Sequence, residues 1–268
     1  MKFFRKVLFL SLLVIIAVLV LNEYLPKERQ KEPVIPQSVV ASKNISFAVI
    51  SDIHSDYQSL QKVLDKIKKD KMEFVIVVGD LTTIGAPREL EKVKEILDQS
   101  GLVYYVTSGN HDLWSKTKIL DPFREVFGKE YQAFQIDQVR FILINNASSL
   151  DQDQLDWLDQ QIADCPRLYC LVFSHMPLNH PYLEHIMGEG NSLAAIQAKI
   201  LVKKLTDSKI QKLYAGHVHY FLDYEFEGLK TRTDGAVYTH KNQSPFRFLE
   251  VTVSRPDYKL EEQEVWGE

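Results

Sequence analysis

Nine side chains able to bind a metal or move a proton fall directly after apolar runs in this chain. Asp52 and His54 follow AVIS, Asp80 follows VIVVG, and Asn110, His111 and Asp112 follow YYVTSG; His175 follows CLVFS, and His217 and His219 close LYAGHVH. Of the eight histidines in the sequence, five sit at these positions, which scattered core filling does not explain. Asp, Asn and His offer oxygen and imidazole donors with no thiolate. Such a set suits Mn, Fe, Co, Ni or Zn better than Ca or Cu(I). Asp52, His54, Asp80, Asn110, His175, His217 and His219 are too many donors for one ion. They fill two if one carboxylate bridges. Two ions about 3.5–4 Å apart clamp a phosphoryl group and generate hydroxide at neutral pH. The pairs Asp52/His54 and His217/His219 are spaced i, i+2, which in extended chain puts both side chains on one face. Gly79, Gly109 and Gly216 each precede a donor and let backbone come close to the ions.

Donors placed this way need strands to carry them. ISFAVIS, FVIVVGD, LVYYVTS, RFILINN, LYCLVFS and KLYAGH read as strands. Between several of them, Ser59 to Lys69, Pro87 to Gln99, Gln152 to Ile162 and Leu193 to Thr206 carry helical apolar spacing, as in Leu60, Val63, Leu64 and Ile67. Strands alternating with helices predict an α/β domain, and ligands at strand carboxyl ends are where open α/β sheets build sites. After Tyr220 the runs YEFEGLKTR, GAVYTH, FRFLEVTV and DYKLEEQEV contain no helix and predict a second, mostly antiparallel portion. Two sheets packed together with helices outside fit the whole: a four-layer α/β/β/α sandwich of two mixed sheets.

The order D-x-H, G-D, G-N-H-D, H, G-H-x-H, from about Ile45 to Tyr220, resembles that of the calcineurin-like metallophosphoesterases. The resemblance implies that Asp52, His54 and His219 hold one metal and that Asn110, His175 and His217 hold a second. Asp80 would bridge them, and a bridging hydroxide would attack phosphorus in line. It further implies that His111 lies beyond the ions, touches phosphate and protonates the leaving oxygen, and that Asp112 orients His111. The family often reads G-D-x-x-D after the second strand. Thr83 stands here in place of the second aspartate. Thr83 and His54 also argue against the tyrosinate-iron site of purple acid phosphatases. The stretch from Tyr131 to His175 is most similar to the cyclic-nucleotide phosphodiesterase and acid-phosphatase-like branches. A rival from another class, a metal-free scaffold that uses the fold to bind a partner, is disfavoured because every expected donor is present.

The N-terminus sets a different expectation. Lys2, Arg5 and Lys6 precede an uncharged apolar run from Val7 to Leu21, and no small-x-small cleavage site follows it. This predicts an uncleaved transmembrane signal anchor over residues 1–25, with its N-terminus cytoplasmic and the catalytic domain outside. The proline- and charge-rich residues 26–44 are the tether and 45–268 the phosphoesterase domain. A domain held there would rarely meet cyclic AMP, so envelope substrates such as lipid-linked diphosphates, nucleotides or phosphorylated glycans come forward. The formal net charge is −4, which supplies no field for long nucleic acid. Cys165 and Cys170 read as small, partly buried residues flanking a strand rather than as a disulfide. His180 and His185, in the long segment after His175, read as solvated loop residues.

Overall fold

The chain is described from a computed structural model, which covers residues 44–239 and 245–267. The predicted anchor and most of the tether, as well as His240, lie outside the described residues. Among the described residues no helix is long and apolar enough to cross a membrane.

Strands β1 (Asn44–Ile50), β2 (Phe74–Val78) and β3 (Val103–Thr107) pair in parallel. Helix α1 (Tyr57–Lys69) connects the first pair and α2 (Pro87–Ser100) the second. A hairpin follows, β4 (Gln132–Ile136) and β5 (Val139–Leu143), and then α4 (Gln152–Ile162), β6 (Tyr169–Ser174), α5 (Ser192–Asp207) and β7 (Lys212–Ala215). The short α3 (Pro122–Phe127) precedes β4. It was not expected, because six residues are too few to show a helical period. Its start signals are nonetheless local: Asp121 accepts from Arg124 N and Pro122 fills the first turn.

The tail does not form a portion of its own. Strands β8 (Leu222–Phe226) and β9 (Leu229–Thr233) join the second sheet through β7, and β10 (Arg247–Ser254) and β11 (Lys259–Trp266) join the first through β1. The sheets run β11-β10-β1-β2-β3 and β4-β5-β6-β7-β9-β8. Within GAVYTH, the described residues 235–239 are not a strand. Val237 N donates to Ser51 O and Tyr238 N to Asp52 O, which ties this segment to the end of β1.

Three buried clusters define the layers. Phe47, Phe74 and Tyr105 from one sheet meet Phe141, Phe173 and Tyr214 from the other. The opposite face of the first sheet packs on α1, α2 and α3, and that of the second on α4 and α5. Strands covered on both sides must be apolar at every position, and FVIVV of β2 is buried throughout. The parallel strands point their carboxyl ends the same way within each sheet, so the loops after β1, β2, β3, β6, β7 and β9 gather at one edge of the sandwich.

Cys165 and Cys170 form a disulfide, contrary to expectation. A 3-10 turn over Cys165–Arg167, built on Pro166, folds the chain back and brings the two Cα atoms to 5.6 Å.

Candidate metal centre

The loops reach the centre through strained backbone. Asp52, His54, Asp80, His217 and His219 all have positive φ, between 45° and 69°. Non-glycine residues in this region are uncommon and cost of order 1–3 kcal/mol each, so their concentration here is a mark of function. It also corrects the strand-based expectation for the His217/His219 pair, whereas Asp52 and His54 do converge on one donor group. His217 and His219 do not share a face of an extended chain. Val218 N donates to Gly216 O in a tight turn, and the two imidazoles part. His219 Nε2 lies 3.2 Å from Asp52 Oδ1, while His217 Nδ1 lies 3.2 Å from His175 Nε2.

Two donor groups result. Asp52, His54 and His219 present ligand atoms within 4.8 Å of one another, and so do Asp80, His175 and His217. Asn110 Oδ1 adds to the second group, 3.1 Å from His175 Nε2. Asp80 Oδ2 faces both, 3.7 Å from His54 Nε2 and 3.3 Å from His175 Nε2. A third overlapping set is His54, Asp80 and His111.

These residues fit metal ions on their own chemistry. Asp52 Oδ1 is buried and has only the His219 and His54 imidazole nitrogens near it, at 3.2 and 3.8 Å. Imidazole nitrogens face each other at 3.3 Å in the His54–His219 pair, where two lone pairs repel unless a cation or proton lies between them. His175 Nδ1 donates to Val78 O at 2.9 Å, since a carbonyl can only accept, and this turns Nε2 toward the centre. The electrostatics show the same demand for positive charge. Burial acts to raise Asp52, but the His219 hydrogen bond and the surrounding imidazoles hold it well below the usual carboxylate range. Burial acts to lower His175, and the Asp80 carboxylate overrides it and pushes the imidazole up to about 10. Burial and the positive His175 drive His217 down to about 4. Metal would take over the neutralising role that protons hold at His175, so loading releases protons and weakens as pH falls.

The glycines are required by close packing behind the donors. A Cβ on Gly109 would lie 2.2 Å from Asp80 N, and one on Gly216 would lie 2.4 Å from Ser51 Oγ. They let neighbouring loops pack against each other behind the donors.

Asp112 also departs from expectation. Its carboxylate makes no hydrogen bond to the His111 ring. Its carboxylate accepts from Leu81 N, Thr82 N, Thr82 Oγ1 and Gly109 N, at 2.8–3.1 Å, and so ties the loop after β3 to the loop after β2. Burial, followed by the nearby Asp80 charge, pushes Asp112 up to about 7 against the hydrogen bonds from Gly109 N, Thr82 Oγ1 and Leu81 N. His111 is oriented by a backbone group instead: its Nδ1 donates to Thr83 O at 2.7 Å. Nε2 then faces the centre, 4.0 Å from Asp80 Oδ2. Thr83, noted only as a departure, supplies through its main chain what a carboxylate was expected to supply.

Four further residues were not singled out from the sequence. Ser51 Oγ bridges Asp52 Oδ2 and the fully buried Asp234 Oδ1. Trp114 packs on His111, and Tyr238 lies beside His54. Asp234 and Tyr238 are invisible to motif logic because β9 brings them in from outside the motif region. His185 reaches 6.3 Å from the His217 ring, whereas His180 caps its own loop by accepting from Tyr182 N and Leu183 N.

Comparison with known proteins agrees with this geometry. The family model for the calcineurin-like phosphoesterases matches residues 45–221. The chain is 25% identical over 185 residues to the 3′,5′-cyclic adenosine monophosphate phosphodiesterase CpdA of Escherichia coli K12, covering 64% of each chain. It is 27% identical over 163 residues to an Arcobacter nitrofigilis protein described as a probable glycerophosphodiester phosphodiesterase GpdQ, covering 56% of this chain and 58% of that one. The match thus spans less than two thirds of either relative. In fold it is similar to GAP50, the anchor in the inner membrane complex of Plasmodium, with a TM-score of 0.61 at 12% identity over 84% of this chain and 85% of that one. By its matched length and its ordered donor motifs, the chain belongs to the calcineurin-like phosphoesterases, a family of metal-dependent phosphoric ester hydrolases.

Proposed function

We propose that this chain is a two-metal phosphodiesterase, held at a membrane by its N-terminal segment and acting on phosphodiester or diphosphate bonds outside the cytoplasm. The observation that carries the reading is Asp80 Oδ2, which faces imidazoles of both donor groups, 3.7 Å from His54 Nε2 and 3.3 Å from His175 Nε2. Asp52, His54 and His219 would hold one ion, Asn110, His175 and His217 the other, and Asp80 both. The ions would supply Lewis acidity and a water nucleophile at neutral pH. His111 acts on the leaving side. Thr83 O fixes its Nδ1 proton, so Nε2 is the position that carries the second proton of the imidazolium and gives it to the departing oxygen, leaving a neutral ring. Asp112 holds the two loops that place Asp80 and His111 in register.

The diester preference is supported by the relatives, both described as phosphodiesterases. The E. coli relative also favours a second reading, hydrolysis of cyclic nucleotides. The predicted extracytoplasmic placement and the Cys165–Cys170 disulfide favour an envelope substrate instead, because disulfides persist in oxidising compartments.

The test uses the full chain in detergent, loaded with Mn, on bis-p-nitrophenyl phosphate and p-nitrophenyl phosphate. Diester turnover should exceed monoester turnover, and Asn110→Ala and His217→Ala should each lower it by at least about 100-fold. Near wild-type turnover in both variants would remove the site.

A further inference from the structure

The aromatic rings at the centre form a row that runs past the donors. Tyr238 lies 5.5 Å from His54, His54 lies 4.6 Å from His111, and His111 lies 3.9 Å from Trp114, between ring centroids. Trp114 ends the row on the side where His111 gives its proton. Its plane is tilted 30° from the imidazole, so one indole face rests on His111. Even so, Trp114 is 59% exposed and belongs to none of the three core clusters.

The backbone that carries the ring is pinned, while the indole stays open to solvent. Trp114 N donates to His111 O at 3.3 Å, and Ser115 Oγ donates to Ile84 O at 2.8 Å, which stitches the loop after β3 to the loop after β2. Ile84, at the other end of that stitch, is 47% exposed. His111 needs no indole for its own orientation, because Thr83 O and the 3-10 turn over His111–Leu113 already fix it. A large apolar ring, carried on a pinned backbone and left open beside a proton donor, is suited to contact with substrate.

We propose that Trp114 is a specificity residue that stacks on a planar aromatic ring, a nucleobase or an aryl group, carried on the leaving side of the substrate. The leaving oxygen must approach His111 Nε2, so a ring attached to it falls on the adjacent indole. Stacking of this kind is tolerant of ring identity and selects against substrates with only a polyol or alkyl leaving group. The assignment of the leaving side rests on the proton-donor role given to His111 above. The stacking itself does not.

The experiment has two arms. In the first, the full Mn-loaded chain and its Trp114→Ala, Trp114→Leu and Trp114→Phe variants are assayed on bis-p-nitrophenyl phosphate and on ring-free glycerophosphocholine. The ratio of kcat/KM for the aryl diester over the ring-free one should fall about tenfold in Trp114→Ala, chiefly through KM. Phe should restore most of it and Leu should not. An equal loss of kcat on both substrates, or full rescue by Leu, would show a mere support for His111 and overturn the proposal. In the second arm, calorimetry compares AMP with ribose 5-phosphate. AMP should bind about tenfold more tightly to the wild type and lose that advantage in Trp114→Ala. This arm stands even if neither diester is turned over, which would count against the phosphodiesterase reading alone. Equal affinity of the wild type for the two ligands would overturn the stacking platform.

Discussion

At the scale of single residues, His111 and Asp112 stand side by side in the sequence and do different work. His111 presents Nε2 to the centre, while Asp112 is buried behind it with four hydrogen bonds to the loops. Their substitutions should therefore fail differently. His111→Ala is expected to lower turnover by about 10²–10⁴-fold while metal content and melting temperature stay near wild type. Asp112→Asn places an amide N–H₂ against backbone donors. Leaving those donors unpaired costs about 1–3 kcal/mol each, so this variant should melt lower and bind metal more weakly. Metal analysis and thermal melting of the two variants check the division. Loss of metal from His111→Ala would make His111 a ligand, as its place in the His54–Asp80 set allows. The residue types at the centre were legible from the sequence, since donors at strand ends have few other uses. What Asp112 touches was not, because adjacency in the chain says nothing of which way a buried carboxylate turns.

At the scale of elements, the parallel strands and their connecting helices were legible because burial on both faces leaves an unmistakable apolar run. The tail was not. Alternating strands such as those of β8 to β11 announce that one face is covered, but not which sheet they join. Asp234 illustrates the cost of that ambiguity, as its contact with Ser51 exists only because β9 pairs with β7. The β10 attachment to β1 creates another contact the sequence could not show. Glu250 on β10 meets Asp70, at the end of α1. Burial first, then the Asp70 hydrogen bond and charge, push Glu250 up to about 7, with Lys66 opposing. Asp70 is held below its ordinary value by Lys66 and Glu250 despite some burial. The sign follows from proton counting. Below the ordinary carboxyl value Glu250 is protonated in both states. Between that value and about 7 the folded chain keeps a proton that the unfolded chain releases, so this contribution to stability falls as pH rises through the window. Glu250→Gln keeps a donor toward Asp70 and cannot ionise. It should flatten the fall of melting temperature between about pH 5 and 7 and melt above wild type at pH 8. Parallel curves for the two proteins would remove the carboxyl pair from the account.

At the scale of the whole molecule, the question is where the domain works, and two independent features bear on it. The apolar run Val7–Leu21 follows Lys2, Arg5 and Lys6, which the positive-inside rule keeps in the cytoplasm. At the other end of the argument, the Cys165–Cys170 disulfide closes a loop with a sequence separation of only 5. A bridge so short restricts the unfolded chain little, by about 2 kcal/mol, and the domain has two well-filled sheets without it. Its value as an indicator is thus greater than its value to stability, because a reducing compartment would keep both thiols free. Both features favour the proposed placement of the phosphoesterase domain outside the cytoplasm. A periplasm-dependent reporter such as an alkaline phosphatase, fused after Glu268, should be active in cells, and a cytoplasm-dependent fluorescent reporter at the same position should be dark. Thiol labelling of the isolated protein should find no free cysteine until reductant is added. A bright cytoplasmic reporter with two reactive thiols would reverse the placement and return cyclic nucleotides to the front as substrates. An active external reporter with a closed disulfide would confine the search to diesters and diphosphates of the envelope.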